Sequence, residues 1–286
     1  MTPPDFITGL SAVSDRYDAI LCDVWGVLHD GRRAFAGASD ALTRFREAGK
    51  PVVLITNAPV PKDRVTRLFA PLGVRQTAWD DCVSSGDAAR AELARRPGAR
   101  VWCFGTDEGF EHDRYLFEGL DLTFVNGPEA DLVLCIGLRD PVNDHPDAYT
   151  SELAEIADHG LPMICANPDI QVRVGDRLLW CAGALARIYE AQGGAVIYPG
   201  KPHPAIYRAA REALTRLGTD PARARILAIG DGPATDLKGA RDEGYDSLYV
   251  GTGLQLHGAG DFRSETGSML REHGVPATYA MAALQW

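Results

Sequence analysis

Short apolar runs of four or five residues alternate along this chain with longer stretches in which apolar positions recur every three or four residues. Residues 18–22, 52–55, 101–104, 132–136, 163–166, 195–198, 226–229 and 247–250 read as strands. Val52-Val53-Leu54-Ile55 shows no polar alternation, the pattern of a strand buried on both faces of a parallel sheet. Helical period runs over 38–48, 61–70, 86–95, 147–158, 182–192, 205–217 and 235–243. Pro61 suits a first helical turn, and Gly49 closes the first helix. Strands alternating with helices predict an α/β fold on a doubly wound parallel sheet. Residues 254–286 follow no such pattern.

The polar residues that close these runs are not spread evenly. Asp23, Thr56 and Asp231 stand at the ends of apolar runs, and Lys201 opens a helix. All four lie outside residues 83–196, a stretch with enough strands and helices for a domain of its own. The distribution predicts a core domain formed by residues 1–82 and 197–286, interrupted by an inserted α/β domain at 83–196. The ends of such an insert must lie close together.

Parallel strands joined by right-handed crossovers share one rim of carboxyl ends, where ligands of such sheets bind. Two carboxylates on that rim repel each other, which favours a bound divalent cation, and oxygen ligands suit Mg²⁺. A lysine and a hydroxyl beside them complete a site for a phosphoryl group. One carboxylate attacks phosphorus while metal and lysine neutralise the transferring charge. Each residue also has a plainer reading: Asp23 as a turn cap, Thr56-Asn57 as a turn, Lys201 as a solvated loop residue. Asp231 and Asp236 flank Pro233 and suit a helix start. It is their combination that favours chemistry.

Asp23-Val24-Trp25-Gly26-Val27-Leu28 followed by Gly31, Ile55-Thr56-Asn57, Gly200-Lys201-Pro202, and Gly230-Asp231-Gly232-Pro233-Ala234-Thr235-Asp236 resemble the four motifs of the haloacid dehalogenase-like hydrolases. Their order and spacing are most similar to class IIA, the p-nitrophenylphosphatase/NagD-like group, across residues 18–250. The resemblance implies an α/β cap between the second and third motifs, where the extra segment lies. It implies an Mg²⁺-dependent phosphatase that hydrolyses a small phosphomonoester, such as a sugar phosphate or nucleotide, through an aspartyl-phosphate. Asp23 would be nucleophile and metal ligand, with the main-chain carbonyl of Trp25 and the carboxylate of Asp231 as the other protein ligands. Asp236 would brace the site through water or Lys201. Thr56, helped by Asn57, would hydrogen-bond the phosphoryl oxygens, and Lys201 would cancel charge on Asp23 and the phosphate. Asn167 and Asp169, in the cap, would sit near the substrate entrance; Asn167-Pro168-Asp169 reads equally well as an Asn-Pro turn. A homodimer through the cap is implied in the same way.

One position departs from the pattern. The family's phosphatases usually carry a second aspartate two residues after the nucleophile, which protonates the leaving group and later activates water. Here that residue is Trp25. A main-chain carbonyl survives the exchange, but an indole does not cycle a proton near neutral pH. Losing such a group typically costs ~10²–10⁴ in rate. The readings left open are hydrolysis of a good leaving group or with a substitute acid (His29, Asp30 or a cap group), a phosphate-ligand-binding protein with weakened turnover, and a phosphotransferase. Trp25 could also serve as a flat wall for substrate.

Composition narrows the partners. The chain has 286 residues, 29 basic against 39 acidic for a net charge of −10. Such a surface argues against nucleic acid and anionic membranes, though not against a small anionic substrate. No apolar run approaches the ~18 residues of a spanning helix, and no basic start leads into an apolar stretch, so a cytoplasmic location is expected. The cysteines at 22, 82, 103, 135, 165 and 181 include no Cys-x-x-Cys pair and read as small buried hydrophobes. His203, His257 and His273 do not fall at metal-ligand spacing. Gly251, Gly253, Gly258 and Gly260 do not form the strand–loop–helix unit of a dinucleotide site.

Overall fold

Two parallel sheets account for the two blocks of strands. The computed structural model describes residues 2–105, 114–253 and 261–286; His257, Gly258 and Gly260 lie outside them. The larger sheet takes β1 (Asp5–Phe6), β2 (Ala19–Cys22), β3 (Val52–Thr56), β4 (Asp81–Ser84), β12 (Ile226–Gly230), β13 (Asp246–Val250) and β14 (Tyr279–Met281). Its order is β1-β14-β13-β12-β2-β3-β4, with every pairing parallel.

Both faces are covered, which is why these strands read as unbroken apolar runs. Ile20 and Cys22 of β2 pack with Ala38, Leu42 and Phe45 of helix Ala36–Glu47. Ala19 and Leu21, pointing the other way, pack with Ile206, Ala210 and Leu214 of helix Pro204–Arg216. Each fully buried Leu, Ile or Phe here contributes about 1.5–3 kcal/mol. The strand order reverses between β2 and β12, and the crevice beyond their carboxyl ends is where such sheets bind ligands.

The smaller sheet runs β11-β8-β7-β5-β6, from β5 (Ala99–Phe104), β6 (Leu122–Phe124), β7 (Leu132–Cys135), β8 (Met163–Cys165) and β11 (Val196–Ile197). Helices Thr150–Asp158 and Ala182–Ala191 cover one face, and helix Ser85–Ala94 the other. β9 (Gln171–Val174) and β10 (Arg177–Trp180) form a separate antiparallel hairpin.

Several expectations shift. Val83 and Ser84, placed in the insert, pair with Ile55 and Thr56 in the larger sheet, while Ile197, placed in the core, pairs with Ile164 in the smaller one. The helix expected over 61–70 is two pieces, Lys62–Arg67 and Phe69–Leu72. That expected over 235–243 starts with a wide turn at Pro233–Leu237 before Lys238–Glu243. The unread tail supplies helix Phe262–His273 and β14, which joins β1 to β13. Cys22, Cys82, Cys135, Cys165 and Cys181 are buried free thiols. No described helix is long and apolar enough to cross a membrane.

Candidate active site

Asp23 is the first residue beyond β2, and its N–H donates to the Ile229 carbonyl of β12 at 2.8 Å. Sheet pairing thus fixes it beside Asp231, the first residue beyond β12. Thr56 ends β3 one strand away, and all three are buried. Lys201 comes from the segment between β11 and helix Pro204–Arg216. Its Nζ donates to Asp23 Oδ1 at 2.6 Å and to Asp236 Oδ1 at 2.8 Å. Asp236 sits in the wide turn, its Oδ2 accepting from the Gly232 N–H at 3.1 Å.

The charges do not balance. Asp23, Asp231 and Asp236 each bring a carboxylate oxygen within 4.8 Å of the others, against the single ammonium of Lys201. Burial raises the Asp23 carboxyl, opposed by Lys201. Burial and the neighbouring carboxylates of Asp23 and Asp236 push Asp231 well above the usual range. Burial alone would lower the Lys201 ammonium, but Asp23, Asp236 and Asp169 hold it well above its ordinary value. Excess negative charge on hard oxygen donors is what a divalent cation such as Mg²⁺ relieves, so the donor set fits one. Gly26 (φ +83°) and Gly253 close over the Asp231 carboxylate, where a Cβ on either would collide with it.

Asn57 has its amide fully engaged. Its Nδ2 donates to Asp169 Oδ1 (2.9 Å) and the Lys201 carbonyl (3.2 Å), while its Oδ1 accepts from the Lys201 N–H (2.7 Å). This side chain couples the lysine backbone to the cap rather than offering a free donor to a phosphoryl group. Thr56 Oγ1 accepts from the Ala58 N–H at 3.2 Å, leaving its own proton to donate. Asn167 Oδ1 accepts from the Asp169 N–H at 3.0 Å, the Asx turn that the plainer reading expects. Asn167 and Asp169 nevertheless line the same cavity as Asp23.

Trp25 spans the two sheets' territories. Its Nε1–H donates to the Arg173 carbonyl of the hairpin at 2.8 Å, and its ring meets His29 edge-on at 5.1 Å. Gly31, at φ +83°, lies under the indole where any Cβ would clash. Of the substitute acids, His29 is buried and its Nδ1 accepts from the Gly31 N–H at 3.1 Å. Burial lowers that imidazole to about 4, so near neutrality it is uncharged and does not serve as a general acid. Asp30 lines the cavity but its Oδ1 caps the N–H groups of Arg32 and Arg33. The cavity measures about 980 Å³, far more than a phosphate needs. Its lining includes Arg173, a hairpin residue the sequence reading passed over, and His203, stacked on Tyr198 at 4.7 Å.

A haloacid dehalogenase-like hydrolase family model matches residues 20–115, and a HAD-hydrolase-like model matches 198–267. A haloacid dehalogenase-like hydrolase from Brucella suis superposes with a TM-score of 0.84 at 39% identity, covering 99% of this chain and all of that one. The chain belongs to the haloacid dehalogenase-like hydrolases. Within them it falls in class IIA, the NagD-like group of phosphoric-monoester hydrolases. The ribonucleotide monophosphatase NagD of Escherichia coli is 29% identical over 82% of this chain and 88% of its own. The D-glycerol 3-phosphate phosphatase of Mycobacterium tuberculosis is 30% identical over 86% of this chain, which spans 66% of that protein's length. A structure of glycerol phosphate phosphatase from that organism, in complex with magnesium, matches with a TM-score of 0.61 at 28% identity, covering 85% of this chain and 70% of that one.

Proposed function

We propose that this hydrolase cleaves small phosphomonoesters by transferring the phosphoryl group to Asp23 and then to water, with Mg²⁺ as cofactor. The observation that carries the reading is Lys201 Nζ held between Asp23 and Asp236 in the floor of a large cavity. Lys201 holds negative charge at Asp23 Oδ1, so Oδ2 is the oxygen that attacks phosphorus as the P–O bond to the leaving group breaks. Asp236 positions the lysine. The Thr56 hydroxyl donates to a phosphoryl oxygen, and Asn57 keeps Lys201 and the cap loop in register. Asp23, the Trp25 carbonyl and Asp231 would hold the cation, which when bound supplies Lewis-acid neutralisation of the phosphoryl oxygens. Asn167 and Asp169 border the leaving group's side of the cavity.

The test is phosphate release by wild type and Asp23→Asn, each with and without Mg²⁺. Wild type with metal should turn over, and the other three conditions should not. Equal rates in the two proteins would sink the reading. Trp25, in the position of the usual acid, favours a second reading: a phosphate-ligand binder with slow turnover. Leaving-group dependence separates the two. A slow binder releases p-nitrophenol from its phosphate ester yet barely cleaves alkyl phosphates, and Trp25→Asp speeds the alkyl esters. A phosphotransferase would instead pass the group to an added alcohol, visible by product analysis.

A further inference from the structure

Phosphoryl transfer at Asp23 leaves one feature of the cavity unexplained. Arg173 lines it from β9, and its Nε is shielded from solvent with no hydrogen-bond partner. Several other half-buried arginine side chains have partners: Arg139 meets Glu152 at 2.6 Å, Arg46 and Arg211 meet Asp80 and Glu243, and Arg90 donates to the Leu116 and Glu118 carbonyls, although the Arg46 Nε is also left without an acceptor. Arg173 has none among the described residues. Two acidic side chains on the cap wall are already engaged, Glu190 by the Tyr198 hydroxyl at 2.8 Å and Asp169 by Asn57 at 2.9 Å.

The strand that carries the arginine is held in place. Trp25 Nε1 donates to its carbonyl, and its backbone pairs with Leu178 across the hairpin. Gly175, at the hairpin turn with φ +59°, lies so close under the Arg32 guanidinium that a Cβ has no room. A guanidinium on a cavity wall without an acidic partner leaves a positive charge for a ligand to meet, and an anchored backbone leaves less freedom to lose on binding. The two Nη groups of a guanidinium form a flat edge that matches both oxygens of a carboxylate.

We propose that Arg173 is an anion subsite, on the wall of the cavity that also holds Asp23, that selects phosphomonoesters bearing a carboxylate on the leaving group. The phosphoryl end of this placement rests on the hydrolase reading above. The residue that replaces the family's acid thereby has a role: Trp25 anchors the strand that presents the arginine.

Binding and turnover are measured separately. Carboxyalkyl phosphonates, matching alkyl phosphonates and alkylene bisphosphonates are titrated calorimetrically, in Mg²⁺, against wild type, Arg173→Gln, Arg173→Lys and Arg177→Gln. Wild type should bind the carboxylated phosphonate about 10- to 100-fold tighter than the alkyl one, the scale of a charge-assisted pair. Arg173→Gln should bring that ratio to within about threefold of unity, with Arg173→Lys between, whereas Arg177→Gln on the exposed strand β10 keeps it. Equal wild-type affinities, or a ratio untouched by Arg173→Gln, overturn the subsite. A ratio larger for the bisphosphonates overturns its assignment to a carboxylate. Wild type that shows the ratio but releases no phosphate from p-nitrophenyl phosphate supports the subsite and sinks the hydrolase reading instead.

Discussion

At the floor of the cavity, Lys201 meets Asp23 and Asp236 in hydrogen bonds of 2.6 and 2.8 Å, and Asn57 has every amide atom committed. On the wall above, Arg173 keeps a shielded Nε with nothing to donate to. Floor and wall therefore carry opposite kinds of imbalance: surplus carboxylate below, surplus guanidinium above. A molecule with an electrophilic phosphoryl group at one end and an acid at the other answers both. The comparison separates what transfers a group from what chooses its bearer.

The sharpest way to break it is at the floor. Asp23→Asn removes the nucleophile and should lower kcat for p-nitrophenyl phosphate by about 10⁴-fold or more. Lys201→Ala leaves three buried carboxylates without their ammonium, which should cost about 3–5 kcal/mol of unfolding free energy. Urea titrations with and without Mg²⁺ check this, the loss shrinking in the presence of the cation. Acid should act through His29. Its folded-state value, lowered by burial to about 4, lies below the ordinary ~6.5, so the unfolded chain binds the extra proton between those values. The His29 contribution is then complete above about pH 6.5 and is lost as the pH drops toward 4, by roughly 3 kcal/mol, while the raised carboxyls of Asp23, Asp231 and Asp236 act in the opposite sense. Urea unfolding of wild type and His29→Gln at several pH values should show that slope in the difference between the two proteins, the carboxyl contributions being common to both. The smallest change lies at the junction of floor and wall. Trp25→Phe keeps the ring but deletes the donor to the Arg173 carbonyl, worth about 0.5–1.5 kcal/mol. The expected readout is a KM rise of about two- to tenfold for a carboxylated substrate, with kcat little changed.

Most of the floor is legible in the sequence because parallel strands buried on both faces announce themselves as apolar runs, and Asp23, Thr56 and Asp231 stand where those runs stop. Lys201 is legible through its Gly-Lys-Pro setting. The engagement of Asn57 is not, since it depends on Asp169 arriving from 112 residues away. The wall is harder. β9 and β10 are four residues each and half exposed, so alternation is faint. A signal did exist: Gly175-Asp176 between Val174 and Arg177 is a two-residue hairpin loop with glycine in its first place. β14 escapes notice because three residues carry almost no periodicity, and its burial comes from pairing with β13 and β1. The helix expected from 61 to 70 breaks at Leu68, ahead of Pro71, which has no N–H to donate back to the Arg67 carbonyl.

Lys201 follows the last strand of the smaller sheet after only three intervening residues, Tyr198, Pro199 and Gly200. So short a tether spans at most about 14 Å when drawn straight. Motion of that sheet beyond the slack of this tether would pull on the residue whose ammonium keeps the aspartates compatible. Swinging the lid and tuning the acidity of the floor are, in this architecture, one mechanical act.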